Sequence, residues 1–490
     1  MRLCRPCGGM LGCGRFRRTD SWMGSIMPFD LRALLEEHAG QCAALYGAHV
    51  NPRFAKAMGL IGFDRCYVRG RGAYLWDASG RRYLDMLAGY GVFNIGRHHP
   101  VVQQALRDFM DMELPSLVQL DTPLLVALAA RELKARVGLN LDHVYFGSTG
   151  AEANETAIKF ARRTTGRTRI LHAASAFHGL TTGALALNGS EVFREGFGPL
   201  LPSGQVPFGD AEALRRELEA GDVAAFFIEP VQGKGVHVAP DGYLREAARL
   251  CHEHGALFVV DEVQTGVGRT GRFLALHHEE GVEPDMVLMS KALSGGFIPV
   301  SAVLMTKRVY DAVFSSLDRS VVHSSTFGKS NLAATALLAT LAVVDDEGLA
   351  ERAARLGERL MDGLRAMSER FEFMGEVRGR GLMMAVDFVR PRSLKLRTAW
   401  KMVNALSPDL FCQAVTMPLL EKHGILTQVA GHGMATIKLI PPLVIGEEDV
   451  DLFLRAFEDV MEDLHRFPGP AWESLSRIAR NALSSGAKGS

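Results

Sequence analysis

Cysteine is scarce in this chain: there are seven, an odd number, in 490 residues. That argues against a disulfide framework and for a reducing compartment, the cytoplasm. Cys4, Cys7 and Cys13 cluster in "MRLCRPCGGMLGCGRFRR", but no fourth ligand lies close enough to complete a metal site. Charge of one sign is missing too. The 55 basic residues cancel the 55 acidic ones, so the electrostatic footprint of a nucleic-acid partner or an anionic surface is lacking. No run of about 18 apolar residues occurs, and no membrane span is expected. No internal repeat is visible. The first residues have no apolar stretch long enough for a signal peptide. Residues 1–27 read as a disordered basic tail, and Met27 is an equally sensible start.

What is present is a normal globular composition, 47% hydrophobic, long enough for more than one domain. From Arg167 to Lys307 short apolar runs alternate with helical patterns. "RILHAA", "VAAFFIEP", "LFVVDEV", "MVLMS" and "VSAVLM" read as buried strands. "GYLREAARLCHEHG" sets Leu244, Ala247, Ala248 and Cys251 on one helical face and stops at Gly255. Alternation of this kind predicts an α/β fold with a mostly parallel sheet covered on both sides. Ligands of such sheets lie at the carboxyl ends of the strands. Residues 330–370 read as helical, "GLMMAVDFV" as a strand, and 440–465 as helical after "PPLVIGEEDV". The basic stretch from Arg390 to Phe411 reads as an insertion, and residues 471–490 as a loose tail.

Several residues at these strand ends could carry chemistry. In "MSKALSGG" a lysine, Lys291, closes an apolar strand and meets a Gly-Gly pair. A lone lysine there is ordinarily at the surface, but a desolvated one suits Schiff-base chemistry. In "FGSTGAEANETAIK" Thr149 and Glu152 fit a capping box, and Gly150 and Ala151 offer free N–H groups to an anion. Asp261 ends "LFVVD", and Glu229 ends "AFFIE". Phe177 and His178 lie on the loop "AFHG". Gly266, Gly268 and Gly271 match a dinucleotide fingerprint poorly, because "DEVQT" separates them from the strand. Lysine, aspartate and a phosphate-binding helix start are the set that pyridoxal phosphate requires.

The chain resembles the class III (omega-type) pyridoxal-phosphate aminotransferases of fold type I. The resemblance runs from about Asn51 to Val444. It rests on "GVFNIGRHHP", "STGAEANETAIK", "IEPVQGKG", "VVDEVQTGVGRTG", "SKALSGG", "SSTFGKSNLAATA", "VRGRGLM" and "PPL". It is similar to putrescine, ornithine and 4-aminobutyrate aminotransferases. The resemblance implies a large domain over 96–340 with a mostly parallel seven-stranded sheet. It also implies a smaller α+β domain drawn from 28–95 and 341–470. Lys291 would form the Schiff base and move the substrate proton, and Asp261 would pair with the pyridinium nitrogen. Val263 and Phe177 would pack on the two ring faces, with His178 beside them. Gln264 would bond the ring hydroxyl, and Glu229 would support Asp261 or that hydroxyl. Ser148, Thr149, Gly150 and Ala151 would hold the phosphate. Thr326 would reach the phosphate of a neighbouring subunit, which implies a homodimer. Arg378 would grip the carboxylate of a 2-oxo acid, unless it pins the second domain to the first.

Two positions depart from the family. Where relatives carry an arginine after "HG" this chain has Leu180, and where they carry a glutamate in "EPxQGE" it has Lys234. With Tyr90 and Phe93, Leu180 would make the substrate pocket apolar. The expected donor is therefore a primary amine without a carboxylate near its reacting end, a diamine such as putrescine first. A lipophilic chain end, with the 390–411 insertion at the entrance, is the second reading. An aminomutase, a dehydrogenase and a non-catalytic scaffold are the remaining alternatives.

Overall fold

A computed structural model describes residues 29–404, 410–431 and 433–466, together with 469 and 472. The expected tails over 1–27 and 471–490 lie outside these residues, save for 472. The chain divides after Ala55 into two compact units. The first contains the helices Leu31–Glu37 and Cys42–His49. The Asp30 carboxylate caps the former by accepting from the N–H groups of Arg32 and Ala33 at 2.9 and 3.0 Å. Neither helix buries a residue.

Among the described residues the second unit holds three sheets. The first begins with β1 (Tyr67–Arg71), β2 (Tyr74–Asp77) and β3 (Arg82–Asp85). The central sheet comprises β4 (His143–Gly147), β5 (Arg169–Ala173), β6 (Ser203–Val206), β7 (Val223–Ile228), β8 (Leu257–Asp261), β9 (Met286–Met289) and β10 (Ser301–Met305). Its order is β4-β10-β9-β8-β7-β5-β6. β5 to β9 run parallel, and β10 is antiparallel to both β9 and β4. The α/β, fold type I expectation is met. β7, β8, β9 and β10 are buried at every position, as continuous apolar runs in a covered parallel sheet must be. The helix Tyr243–Glu253 buries Leu244, Ala247, Ala248 and Cys251, the face its spacing predicted.

The remaining strands are β11 (Met374–Arg380), β12 (Met383–Phe388), β13 (Ile425–Leu426), β14 (Gln428–Val429) and β15 (Thr436–Leu439). β11, β12, β15 and β14 form the third sheet, whereas β13 pairs parallel with β3. Residues more than three hundred positions apart thus share one sheet. The 330–370 region is helical over Asn331–Asp346 and Leu349–Arg370, and the C-terminal helix is Glu447–His465.

The basic insertion has a buried side as well as a solvated one. The helix Leu394–Asn404 buries Leu396 and Trp400. Trp400 lies 5.9 Å from the Phe373 ring and 4.5 Å from Phe411. Its apolar side fills the protein's own aromatic cluster, leaving a solvated face. Residues 405–409 fall outside the description.

One side chain ties these parts together. Arg269 is fully buried. Its guanidinium donates to the carbonyls of Leu382, at 2.9 Å, and Pro441, and to Asn94 Oδ1. Asn94 in turn donates to Val267 O at 2.9 Å. Arg269→Met is expected to lower unfolding free energy by roughly 3 kcal/mol or more, because it strands several buried acceptors. Urea denaturation measures this, and an unchanged midpoint would contradict it.

Candidate active site

The carboxyl ends of β5, β7, β8 and β9 open on one edge of the central sheet, and the residues singled out above gather there. β8 ends at Asp261, which is buried. Its Oδ2 accepts from His178 Nδ1 at 2.8 Å and from Asn154 Nδ2 at 3.0 Å, and Oδ1 accepts from Val263 N at 3.0 Å. Burial alone would raise this carboxyl. The hydrogen bond and charge of His178, with the amide and backbone donors, hold it below the usual carboxylate range. Burial would conversely lower His178, and the Asp261 carboxylate raises it. An anionic Asp261 fixes His178 as the Nδ1–H donor. His178 Nε2 is buried and has no partner among the described residues.

Lys291 follows β9 in a short 3₁₀ turn with φ 45°. A left-handed backbone at a non-glycine residue is strained and is held by its surroundings. Gly295 and Gly296 follow with φ of 62° and 81°. A Cβ on Gly296 would lie 2.4 Å from the Phe93 ring, so only glycine lets Phe93 pack there. Burial lowers the Lys291 ammonium, and the charges of Asp261 and Glu229 offset part of that shift. Among the described residues it forms no ion pair or hydrogen bond.

Glu229 staples two loops. Oε2 accepts from Phe177 N at 3.0 Å and Oε1 from Gly233 N at 2.8 Å. Burial pushes its carboxyl up. Glu262, beside Asp261, is pushed up by burial to about 7. It accepts from Ala275 N and Leu276 N at 3.1 and 2.7 Å and from Thr265, so it holds the loop carrying Val263 and Gln264. Gln264 donates to Tyr90 O at 2.8 Å. Tyr90 is half exposed, and its hydroxyl accepts from Gln428 at 2.7 Å.

The helix Gly150–Thr165 opens with the predicted capping box. Glu152 takes the N–H groups of Ser148 and Thr149 at 2.6 and 3.0 Å. The N–H groups of Gly150 and Ala151 are left to meet an anion. A Cβ on Gly150 would sit 2.9 Å from Val263, and one on Gly179 would sit 2.8 Å from Ala151. Both glycines let the three loops close around the helix start. Leu180 follows, exposed. Thr326 is exposed in the turn before Asn331–Asp346.

Arg378 is already engaged. It donates to Gly235 O at 2.9 and 2.7 Å, to Asp387 Oδ1 at 3.0 Å and Oδ2, and to Glu376 at 3.2 Å. All five N–H donors are occupied, the pinning arrangement that was the alternative to a carboxylate grip. Gly266, Gly268 and Gly271 do not face a phosphate. They give close approach to Glu262 O, Leu443 and Ala354 respectively.

Two residues were not anticipated. Asn154 lies mid-helix, where a buried amide is out of place unless it serves something. Lys438 on β15 is buried and donates to Gly233 O at 2.6 Å and to Gln264 Oε1 at 3.5 Å. Burial and the charge of Lys291 bring it down to about 7. A lysine inside "TIKLI" carried the same signal as Lys291, a charge within an apolar run.

This donor set fits pyridoxal phosphate: a half-buried amine without a partner among the described residues, an anionic carboxylate with room on Oδ1, and two helix-start N–H groups with no partner among those residues. Among the described residues no cluster of His, Cys, Asp and Glu is arranged to hold a metal ion. No described helix is long and apolar enough to cross a membrane.

Comparison with known proteins agrees with the geometry. The family model "Aminotransferase class-III" matches residues 59–461. Acetylornithine aminotransferase of Methanopyrus kandleri is 38% identical over 402 residues, 81% of this chain and 95% of that protein. Aminotransferase PigE of Serratia sp. is 35% identical over 455 residues, 86% of this chain. The chain spans only 53% of that relative's length. A crystal structure of the ornithine aminotransferase from Toxoplasma gondii, described as showing partial occupancy of PLP at the active site, superposes with a TM-score of 0.78 at 31% identity. It covers 90% of this chain and 99% of that one.

His178→Ala removes the Nδ1–H donor from Asp261. The Asp261 carboxyl of the apoprotein is then expected to titrate higher, read by ¹³C NMR; an unmoved titration would contradict the assignment.

Proposed function

Because the chain belongs to the class-III aminotransferases, we propose that it moves an amino group between a primary or ω-amine and a 2-oxo acid, with Lys291 as the acting base. Pyridoxal 5′-phosphate, the cofactor of this family, supplies the aldehyde that takes up the amino group and a cationic ring that withdraws electrons from the substrate carbon. The observation that carries the reading is the half-buried Lys291 ammonium, without a partner among the described residues and within the field of Asp261 and Glu229. Burial favours its neutral form, so Nζ is available to accept the substrate proton and return it. Asp261, kept anionic by His178 and Asn154, presents Oδ1 to a ring N–H. Gly150 and Ala151 receive the phosphate. Phe177 and Val263 bound the ring, and Gln264 and Glu229 fix the loops beside it.

With Arg378 committed elsewhere, Lys438 is the cation suited to the oxo-acid carboxylate. Its own burial leaves it only partly charged near neutrality, and a bound carboxylate would restore the charge. Leu180, Phe93 and Tyr90 supply apolar surface for the donor. Thr326 serves the neighbouring subunit's phosphate in a two-fold homodimer, and the enzyme works in the cytoplasm. The two-domain division belongs to the same proposal; pairing of β3 with β13 across the sequence supports it.

Lys291→Ala should bind cofactor without the visible Schiff-base absorption and lose turnover; a retained absorption band would overturn the reading. Lys438→Met should raise KM for the oxo acid about tenfold or more, the scale of one charge-assisted hydrogen bond. In the wild type that KM should climb as pH rises through about 7, where Lys438 discharges, and Lys438→Met should flatten the profile. For the shared site, mixed dimers of Lys291→Ala and Thr326→Val subunits should regain one intact centre. No regain in cofactor affinity would place Thr326 outside the partner's site.

A further inference from the structure

His323 is engaged by an element remote from it in sequence. It lies within residues 321–328, which form no helix or strand. Its Nδ1 is 2.9 Å from Lys159 Nζ and its Nε2 is 3.0 Å from Thr156 Oγ1, both on the helix Gly150–Thr165. The ring is half-buried, with Tyr145 of β4 at 4.6 Å and Phe160 of the same helix at 5.1 Å. An ammonium only donates, so Nδ1 accepts and the ring proton is assigned to Nε2, which donates to Thr156. Thr156 in turn donates to Glu152 O at 2.8 Å. Burial and the charge of Lys159 bring the imidazole down to about 4, with Glu152 offsetting part of the shift, so the ring is neutral at ordinary pH.

Both ends of this chain of contacts bear on a phosphate. At one end the Glu152 carboxylate accepts the N–H groups of Ser148 and Thr149, and so shapes the helix start that offers Gly150 and Ala151 to the subunit's own cofactor. At the other end Thr326 follows His323 by three residues, at most about 11 Å of chain. Among the described residues, the side-chain hydrogen bonds of residues 321–328 are the two of His323. The backbone bonds there, Val322 N to Arg319 O and Gly328 N to Ser325 O, both 3.2 Å, stay local. Val321, Val322, Thr326 and Phe327 are exposed. Thr326 thus lies between two anchors: the imidazole before it, and Gly328 after it, where a Cβ would stand 2.4 Å from Phe146 O. A turn with so few bonds takes its position from them.

We propose that His323 is a positioning residue for the neighbouring subunit's cofactor: pinned to the helix Gly150–Thr165, it holds the turn that presents Thr326 to the other phosphate. The inference rests on the transaminase reading and on the two-fold dimer proposed with it. One helix then supports both phosphates, its own through the N–H groups at its start and the neighbour's through Thr156, Lys159 and His323. Loosening His323 weakens cofactor retention in the other subunit and leaves retention in its own.

Two mixed dimers with the same substitutions, differently arranged, separate this role from a general structural one. His323→Phe keeps the ring packing and removes both hydrogen bonds, and Lys291→Ala silences the visible band of its own site. In the first dimer one subunit carries both changes and the other none, so the visible site is served by the altered turn. In the second dimer each subunit carries one change, and the visible site is served by an intact turn. Both are loaded with pyridoxal phosphate and moved to cofactor-free buffer, and loss of the band is followed. Loss should be about tenfold faster in the first, the scale of a lost hydrogen bond. Lys159→Met in place of His323→Phe should act in the same direction by a smaller factor. In the unaltered apoprotein, ¹⁵N NMR should find His323 neutral with its proton on Nε2. Equal rates in the two arrangements, a proton on Nδ1, or a chain that runs as a monomer overturns the inference while the transaminase reading stands. An unaltered protein that gains no visible band with pyridoxal phosphate overturns that reading, and the inference with it.

Discussion

The buried guanidinium of Arg269 is the constraint on which the rest of the second unit depends. It satisfies carbonyls from Leu382 and Pro441 and the amide of Asn94, three segments that are remote in sequence. Among the described residues no carboxylate bonds to it. Its cost of burial is met by neutral acceptors, which themselves would be costly to leave unpaired. The two parts of the knot cannot be exchanged for apolar side chains one at a time. The loop after β8, which carries Val263 and Gln264, is thereby held between the C-terminal sheet and the turn that carries Tyr90 and Phe93.

The same logic of fixed backbone donors builds the site. Asp261, Glu229 and Glu262 are three buried carboxylates within adjacent strand ends, and each is made tolerable by N–H groups from a different loop. Asp261 takes Val263 N, Glu229 takes Phe177 N and Gly233 N, and Glu262 takes Ala275 N and Leu276 N. Only Asp261 also takes an imidazole, which is why it alone is held below the ordinary carboxylate range. The three acids look alike in the sequence. Their partners make one an electrostatic group and two of them loop anchors.

The sheet was legible in the sequence because its strands are buried on both faces and therefore read as uninterrupted apolar runs. The capping box at Thr149 and Glu152, and the gathering of Asp261, Lys291 and His178 on one edge, followed from local pattern and strand polarity. What was not legible depends on distant partners. Whether Arg378 is free is decided by Asp387 and Gly235 O, which its own motif does not reveal. Lys438 lies on a strand where burial follows from the third sheet's packing. The helix Leu394–Asn404 reads as a basic surface insertion until Phe373 and Phe411 supply the aromatic cluster that receives Trp400. The diamine expectation rested on Leu180, which is exposed, and on Lys234, which is half-buried against the rings of Phe177 and Phe193.

β10 reverses the direction of an otherwise parallel neighbourhood. The chain between Lys291 and Ser301 therefore turns back along the same border of the sheet, with no crossover helix above it. Ser301 returns opposite Gly147, next to the residues that open the helix at Gly150. The roof over Lys291 is thus a short glycine-containing arch anchored at both ends by strands. Its two glycines pack directly against Ile95 and Phe93, so any change in the arch's length would have to displace those side chains as well.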